Sequence, residues 1–263
     1  MISIKDILQN YKLSVLAVDE DGNSYSYSQA LSFARNIGQV YRERPLVFCL
    51  AENSIGSLMG YLSFMQNRWV ALMLDAKLDS GLLQGLVGKY QPNLIWMPDF
   101  RVQEFTNAKL IYQDYGYSLI ELNSDQIHLH TDLGLLLTTS GSTGSPKLVR
   151  LSYQNLLANA FSIAEYLDIT AEERPITSLP MYYSFGLSVI NSHVVKGATL
   201  LLSKRGLMEK EFWNMLELKD VRFSVTDEKG QLKNIINGIN LKIDEGKFVA
   251  ITGPNGSGKS TLA

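Results

Sequence analysis

"LLLTTSGSTGSPKLV" (residues 135–149) is the stretch on which the reading of this chain turns. It begins inside an apolar run, LGLLLT (133–138), short and apolar enough to be a strand buried on both faces. Glycines, serines and threonines follow, closed by a lysine. Gly141 and Gly144 open backbone angles closed to other residues and let amides approach a ligand. Thr138, Thr139, Ser140, Ser142 and Thr143 supply hydroxyl donors, and successive N–H groups in such a turn form a nest for an anion. Lys147 adds a mobile point charge that suits a polyphosphate. A flexible Gly/Ser surface loop is the plain alternative, but a linker seldom starts directly from a buried strand. After the loop a helix is expected, with Ser152 as N-cap and an apolar stripe of Leu156, Leu157, Ala160, Phe161 and Ala164.

The same pattern recurs on both sides of this stretch. PLVFCL (45–50), WVALML (69–74), NLIWM (93–97), SLIEL (118–122) and ATLLL (198–202) read as further buried strands. Leu58, Tyr61, Leu62 and Met65 fall at helical spacing between two of them. Strands alternating with helices imply an α/β fold, mostly parallel sheets flanked by helices. Near residue 215 the pattern changes. MLELKDVRFSV reads as a strand, DEKG (227–230) as a turn, and INLKIDEGKFVAIT as two strands joined at Asp-Glu-Gly. No helical stripe occurs in this part, so a small β-rich C-terminal tail is expected. Met215 would be a sensible initiator of a separate protein. The expected division is therefore 1–214 and 215–263.

Composition narrows the classes of function. The 263 residues are 46% hydrophobic and 19% charged, ordinary globular usage with ample apolar side chain for a core. A net charge of −2 gives no field that would hold nucleic acid or an anionic membrane. The single cysteine, Cys49, cannot form an internal disulfide and reads as a small core hydrophobe, which fits a reducing cytoplasm. MISIKDILQNYK has no apolar core of a secretory signal, and no run of about 18 uncharged apolar residues appears. The chain is expected to be soluble and cytoplasmic. His128 and His130 are read as a polar strand-edge pair, since no third metal ligand accompanies them, and His193 as a helix residue.

TTSGSTGSPK resembles the phosphate loop of the adenylate-forming superfamily: acyl-CoA synthetases, nonribosomal peptide adenylation domains and luciferases. The likeness extends in the family's order. SYSYSQALSFARNIG (24–38) is similar to an early helix start, PLVFCLAENSIGSLMGYLSFMQNRWVALMLD (45–75) to a strand–helix–strand unit, and LPMYYSFGLSVINSHVVKGATLLL (179–202) to the segment bordering the acyl pocket. The resemblance covers roughly residues 1–214. It implies that a carboxylic acid and MgATP give an acyl-adenylate and pyrophosphate, and that a thiol, of CoA or a carrier protein, then takes the acyl group. It implies that Thr139, Ser140, Gly141, Ser142, Thr143, Gly144 and Lys147 hold the β- and γ-phosphates, neutralising the leaving pyrophosphate. Tyr183 stands where many members have histidine. It cannot titrate as histidine does and is read as a wall of the acyl pocket, with an ordinary buried tyrosine as the alternative.

A second loop lies at 253–260. GPNGSGKS fits G-x-x-x-x-G-K-[ST], a pattern that average usage yields by chance in roughly one chain per hundred of this length. Gly253, Asn255, Gly256, Ser257, Gly258, Lys259, Ser260 and Thr261 would cradle phosphate, with Lys259 on the β/γ oxygens and Ser260 on Mg²⁺. With its preceding strands, 215–263 resembles the opening of an ATP-binding-cassette (ABC) transporter ATPase, for which a membrane partner is implied. Val225 stands where that family usually has an adenine-stacking aromatic. The adenylating family's adenine, ribose and Mg²⁺ contacts, and the later cassette motifs, fall downstream of the matched regions. The expectation is a ligase segment inactive as this 263-residue chain. The alternatives are a transporter ATPase fragment or a non-catalytic chimera of the two.

Overall fold

The computed structural model describes residues 2–124, 128–138, 147–206, 209, 217–226 and 232–242. The chain divides into two compact units, Met1–Lys204 and Arg205–Ala263.

In the first unit the apolar runs become the centre of a seven-stranded sheet. Its strands are β3 (Leu46–Ala51), β4 (Val70–Asp75), β5 (Leu94–Pro98), β6 (Lys109–Asp114), β7 (Tyr117–Glu121), β8 (Leu133–Thr138) and β9 (Leu148–Ser152), in the order β6-β7-β5-β3-β4-β8-β9. The four central strands are mutually parallel, while β7, β6 and β9 add antiparallel margins. Alternate side chains along these strands feed two separate cores. Val47, Cys49, Met73, Trp96 and Leu137 belong to one, and Phe48, Leu50, Leu72, Ile95 and Leu136 to the other. That two-sided burial is why the runs are continuously apolar.

Helices cover both faces. The first core includes residues of α1 (Ile4–Asn10), α2 (Tyr27–Val40), α3 (Ile55–Asn67), α5 (Tyr153–Tyr166) and α6 (Ser184–Val194). The second is closed by α4 (Ser80–Tyr90) and a 3-10 helix, Asp99–Glu104. Local chemistry sets the starts. Ser26 with Gln29, and Ser152 with Asn155, form reciprocal capping boxes on α2 and α5. In α3, Gly60 lies directly against the Trp96 ring, where a β-carbon would collide, and the Trp96 indole N–H donates to the Gly56 carbonyl at 2.9 Å. A small three-stranded sheet joins β1 (Val15–Val18), β2 (Ser24–Ser26) and β10 (Leu200–Leu201), with β10 parallel to β1.

Two local expectations are corrected. The loop after β8 is followed by strand β9 before α5 begins, because Leu148–Ser152 runs back along β8 in the register Thr138↔Leu148 to Leu133↔Ser152. His128 and His130 lie in the connection between β7 and β8, exposed and outside any strand, so they are not a strand-edge pair. His193 is within α6, and Cys49 is fully buried with its thiol pKa pushed up by that burial, as expected.

In the second unit, β11 (Glu217–Thr226) and β12 (Leu232–Lys242) form an antiparallel pair, in register from Glu217↔Lys242 to Thr226↔Leu232. The expected MLELKDVRFSV strand is β11, whereas INLK forms the end of a strand that starts at Leu232. The DEKG turn, the KFVAIT strand and the loop from Gly253 to Thr261 lie outside the described residues.

Candidate functional site: the carboxyl edge of the parallel strands

The registers Ala51↔Asp75 and Met73↔Leu137 bring the carboxyl ends of β3, β4 and β8 nearly level. At this edge the chain leaves β3 into α3, toward one core, and leaves β4 into α4, toward the other. Such a reversal of strand order opens a crevice at the carboxyl ends of a parallel sheet, where ligands of open α/β sheets bind. The glycine loop leaves the same edge, beside β4. Its stems are paired at Thr138↔Leu148, so it is the loop of a hairpin. Thr138 is half-buried at one stem, and Lys147 is exposed at the other. Thr139, Ser140, Gly141, Ser142, Thr143 and Gly144 lie outside the described residues.

The segment from Thr177 to Tyr183 crosses the ends of β3 and β4. Asn53, just past β3, donates from its side-chain nitrogen to the carbonyls of Thr177 at 2.7 Å and Leu179 at 3.1 Å, and its side-chain oxygen accepts the Met181 N–H at 3.0 Å. Asp75, at the end of β4, accepts the Tyr182 hydroxyl at 2.9 Å and the Lys77 N–H at 2.8 Å. Burial, reinforced by the Asp75 carboxylate, pushes the Tyr182 phenol pKa up. Gly186, in the first turn of α6, lies against the carbonyls of Leu179 and Pro180, an approach that leaves no room for a β-carbon. Glu52, beside Asn53, forms an ion pair with Lys204.

Tyr183 precedes α6, and its ring lies 4.9 Å from that of Tyr182. It is 52% exposed, which corrects the alternative of an ordinary buried tyrosine; Phe185, at 67%, and Leu179, at 42%, are exposed with it. The structure thus brings Thr138, Lys147 and Tyr183 to the carboxyl ends of the central strands. Sequence reasoning missed Asn53, Asp75 and Tyr182. A polar side chain within three residues of the end of each of two buried apolar runs was the available signal.

A cleft of about 530 Å³ lies at the opposite edge of the sheet, where Gln84, Gln91, Phe105 and Asn123 line it. Its carboxylate, Glu104, accepts two hydrogen bonds from the Arg101 guanidinium, at 2.6 and 2.7 Å. Among the described residues no cluster of three metal-ligating side chains occurs, and no helix is long and apolar enough to cross a membrane.

Comparison with known proteins accords with this sheet. The AMP-binding enzyme family matches residues 8–226, and the chain belongs to that family. A curated relative is the 2-succinylbenzoate–CoA ligase of Oceanobacillus iheyensis, 26% identical over 202 residues, covering 73% of this chain and 42% of that protein. Solved structures share the fold. ATP-bound MatB from Rhodopseudomonas palustris gives a TM-score of 0.63 at 18% identity over 78% of this chain and 46% of its own. The O-succinylbenzoate coenzyme A synthetase of Bacillus subtilis, in complex with AMP, gives 0.61 at 18% identity over 78% and 56%. The chain spans less than half the length of the curated relatives it matches. Separately, the ABC transporter family matches residues 236–263. A putative ABC transporter ATP-binding protein of Methanosarcina acetivorans is 45% identical over 56 residues, 21% of this chain and 8% of that protein.

Proposed function

We propose that residues 1–214 are the N-terminal part of an ATP-dependent adenylate-forming ligase that makes thioesters of a carboxylic acid. The observation that carries this reading is the hairpin loop, rich in Gly, Ser and Thr, leaving the carboxyl edge of the parallel strands in a chain of the AMP-binding family. ATP would supply the activated phosphorus: a carboxylate oxygen bonds to it, the bond to the bridging oxygen breaks, and pyrophosphate leaves. A thiolate of CoA or a carrier protein then bonds to the acyl carbon as AMP departs.

The donor set suits the triphosphate. The hydroxyls and amides of Thr139, Ser140, Gly141, Ser142, Thr143 and Gly144, with the Lys147 ammonium, would hold the β- and γ-phosphates through fixed dipoles and one positive charge. Tyr183 would wall the acid's pocket. The chain is read as cytoplasmic.

A second reading concerns residues 215–263, which the ABC match supports. Here Gly253, Asn255, Gly256, Ser257, Gly258, Lys259, Ser260 and Thr261 would cradle a nucleotide, with Mg²⁺ on Ser260. The chain would then join the starts of two families near Met215, and sequencing the coding region across codons 205–225 tests that junction.

One labelling experiment addresses both loops. The 263-residue protein is treated with an amine-reactive acylating reagent with and without MgATP, and each lysine is quantified by mass spectrometry. Protection of Lys147 is expected on the ligase reading and of Lys259 on the cassette reading. Equal labelling of Lys147 under both conditions would overturn its phosphate role. Pyrophosphate exchange with a panel of carboxylic acids is expected to be absent from these 263 residues alone, and robust exchange would refute that expectation.

A further inference from the structure

We propose that β6 is an interaction surface for a second copy of this chain, two β6 edges pairing antiparallel about a two-fold axis and joining the two seven-stranded sheets. The inference stands apart from the ligase reading, since β6 lies at the margin of the sheet opposite to β8 and β9.

Among the described residues, β6 (KLIYQD, 109–114) has a neighbouring strand on one side only. The N–H and C=O groups along its other side form an open template for a further strand. The edge is held firm. The turn into β7 takes two residues, Tyr115 and Gly116, both at positive φ, and a tight turn of this kind fixes the register of its hairpin. The Tyr112 ring packs on Phe33 of α2, with centroids 5.6 Å apart. Lys109, Leu110, Gln113 and Asp114 nevertheless stay exposed.

Protein edges are commonly guarded by charge, which discourages most partners. Here the guard is complementary to itself. In an antiparallel copy, Lys109 stands opposite Asp114 of the second copy, and Asp114 opposite its Lys109. A parallel approach in register would instead set like charges against each other. Opposed residues interact when they share a face of the sheet, and in a regular strand two residues five apart point to opposite faces. The irregularity between Leu110 and Tyr112 removes that mismatch. Lys109 pairs with Glu121 of β7 and Asp114 with Tyr117, so the two lie on one face. Leu110 and Gln113, opposite Ile120 and Ser118, share the other face and become partners across the axis. The Lys109 side chain is 77% exposed and meets Glu121 only loosely, at 3.7 Å, which leaves its ammonium within reach of a copy. Asp114 accepts the Tyr115 N–H at 2.8 Å, which holds its carboxylate at the end of the strand.

Six residues a side is far fewer than the roughly 20–30 of a stable interface, so the association is weak and is sought at about 0.5 mM protein. The test is analytical ultracentrifugation of the full 263-residue protein at that concentration. The wild type should show a dimer. Lys109→Asp and Asp114→Lys each bring like charges together and should weaken association about tenfold or more. An equimolar mixture of the two variants should associate again, because opposite charges then meet in both pairs. The chain carrying both substitutions should dimerise as the wild type does. Rescue in the mixture cannot come from unfolded chains, so it separates lost pairing from lost folding. A wild type that stays monomeric overturns the inference. So does a dimer that survives either single substitution, which puts the association on another surface, and so does a mixture that fails to associate.

Discussion

Asn53 satisfies three backbone groups at once, so its loss would leave carbonyls and an amide without partners. Asn53→Ala should cost about 1–3 kcal/mol, measurable by urea unfolding, with faster hydrogen exchange at Met181. Arg101 poses a different problem. Arg101 is 4% exposed, and its guanidinium donates to the Ala76 carbonyl at 2.9 Å as well as to Glu104. The Arg101 hydrogen bonds hold the Glu104 carboxyl below its usual range. A lowered folded-state pKa gives stability that is complete above the unfolded carboxylate range and lost as pH falls through the folded value. The difference in melting temperature between the wild type and Glu104→Gln should therefore be largest near neutral pH and close in acid. Cys49, fully buried with a raised thiol pKa, should ignore thiol reagents in the native protein and react once it is unfolded.

At the scale of elements, the packing of α3 on β5 depends on one missing methyl group. Gly60→Ala would drive a β-carbon into the Trp96 indole, and overpacking of this kind should destabilise by about 1–3 kcal/mol. Denaturant curves and Trp emission would report it. The same elements show what the sequence could convey. β3, β4, β5 and β8 were legible because burial on both faces leaves an unbroken apolar run. α5 was legible from its stripe and from Ser152, whose hydroxyl accepts the Asn155 N–H at 3.0 Å. β6 was not, because an edge strand keeps Lys109, Leu110, Gln113 and Asp114 exposed and loses the apolar signature. β9 was hidden because its Leu148–Ser152 run, with Val149 and Arg150 exposed, has no continuous apolar character. The candidate site divided similarly. Its loop was proposed from glycine and hydroxyl chemistry, whereas Asn53 and Asp75 act on residues 128 and 107 positions away, a distance local pattern does not span.

At the scale of the molecule, Met1–Lys204 forms a compact unit with both sheet faces lined by buried side chains. A polypeptide ending at Lys204 should therefore unfold cooperatively, with a melting temperature close to that of the same unit in the full chain, as calorimetry would show; a non-cooperative transition would deny it independence. The hairpin stem at Thr138↔Leu148 carries the last consequence. Its ladder is closed by the strands themselves, so the architecture does not need the tip, to which the proposed function assigns phosphate. That tip can be rewritten, shortened or transplanted at little cost to the scaffold, and natural selection is free to retune or abolish the chemistry while leaving the frame standing.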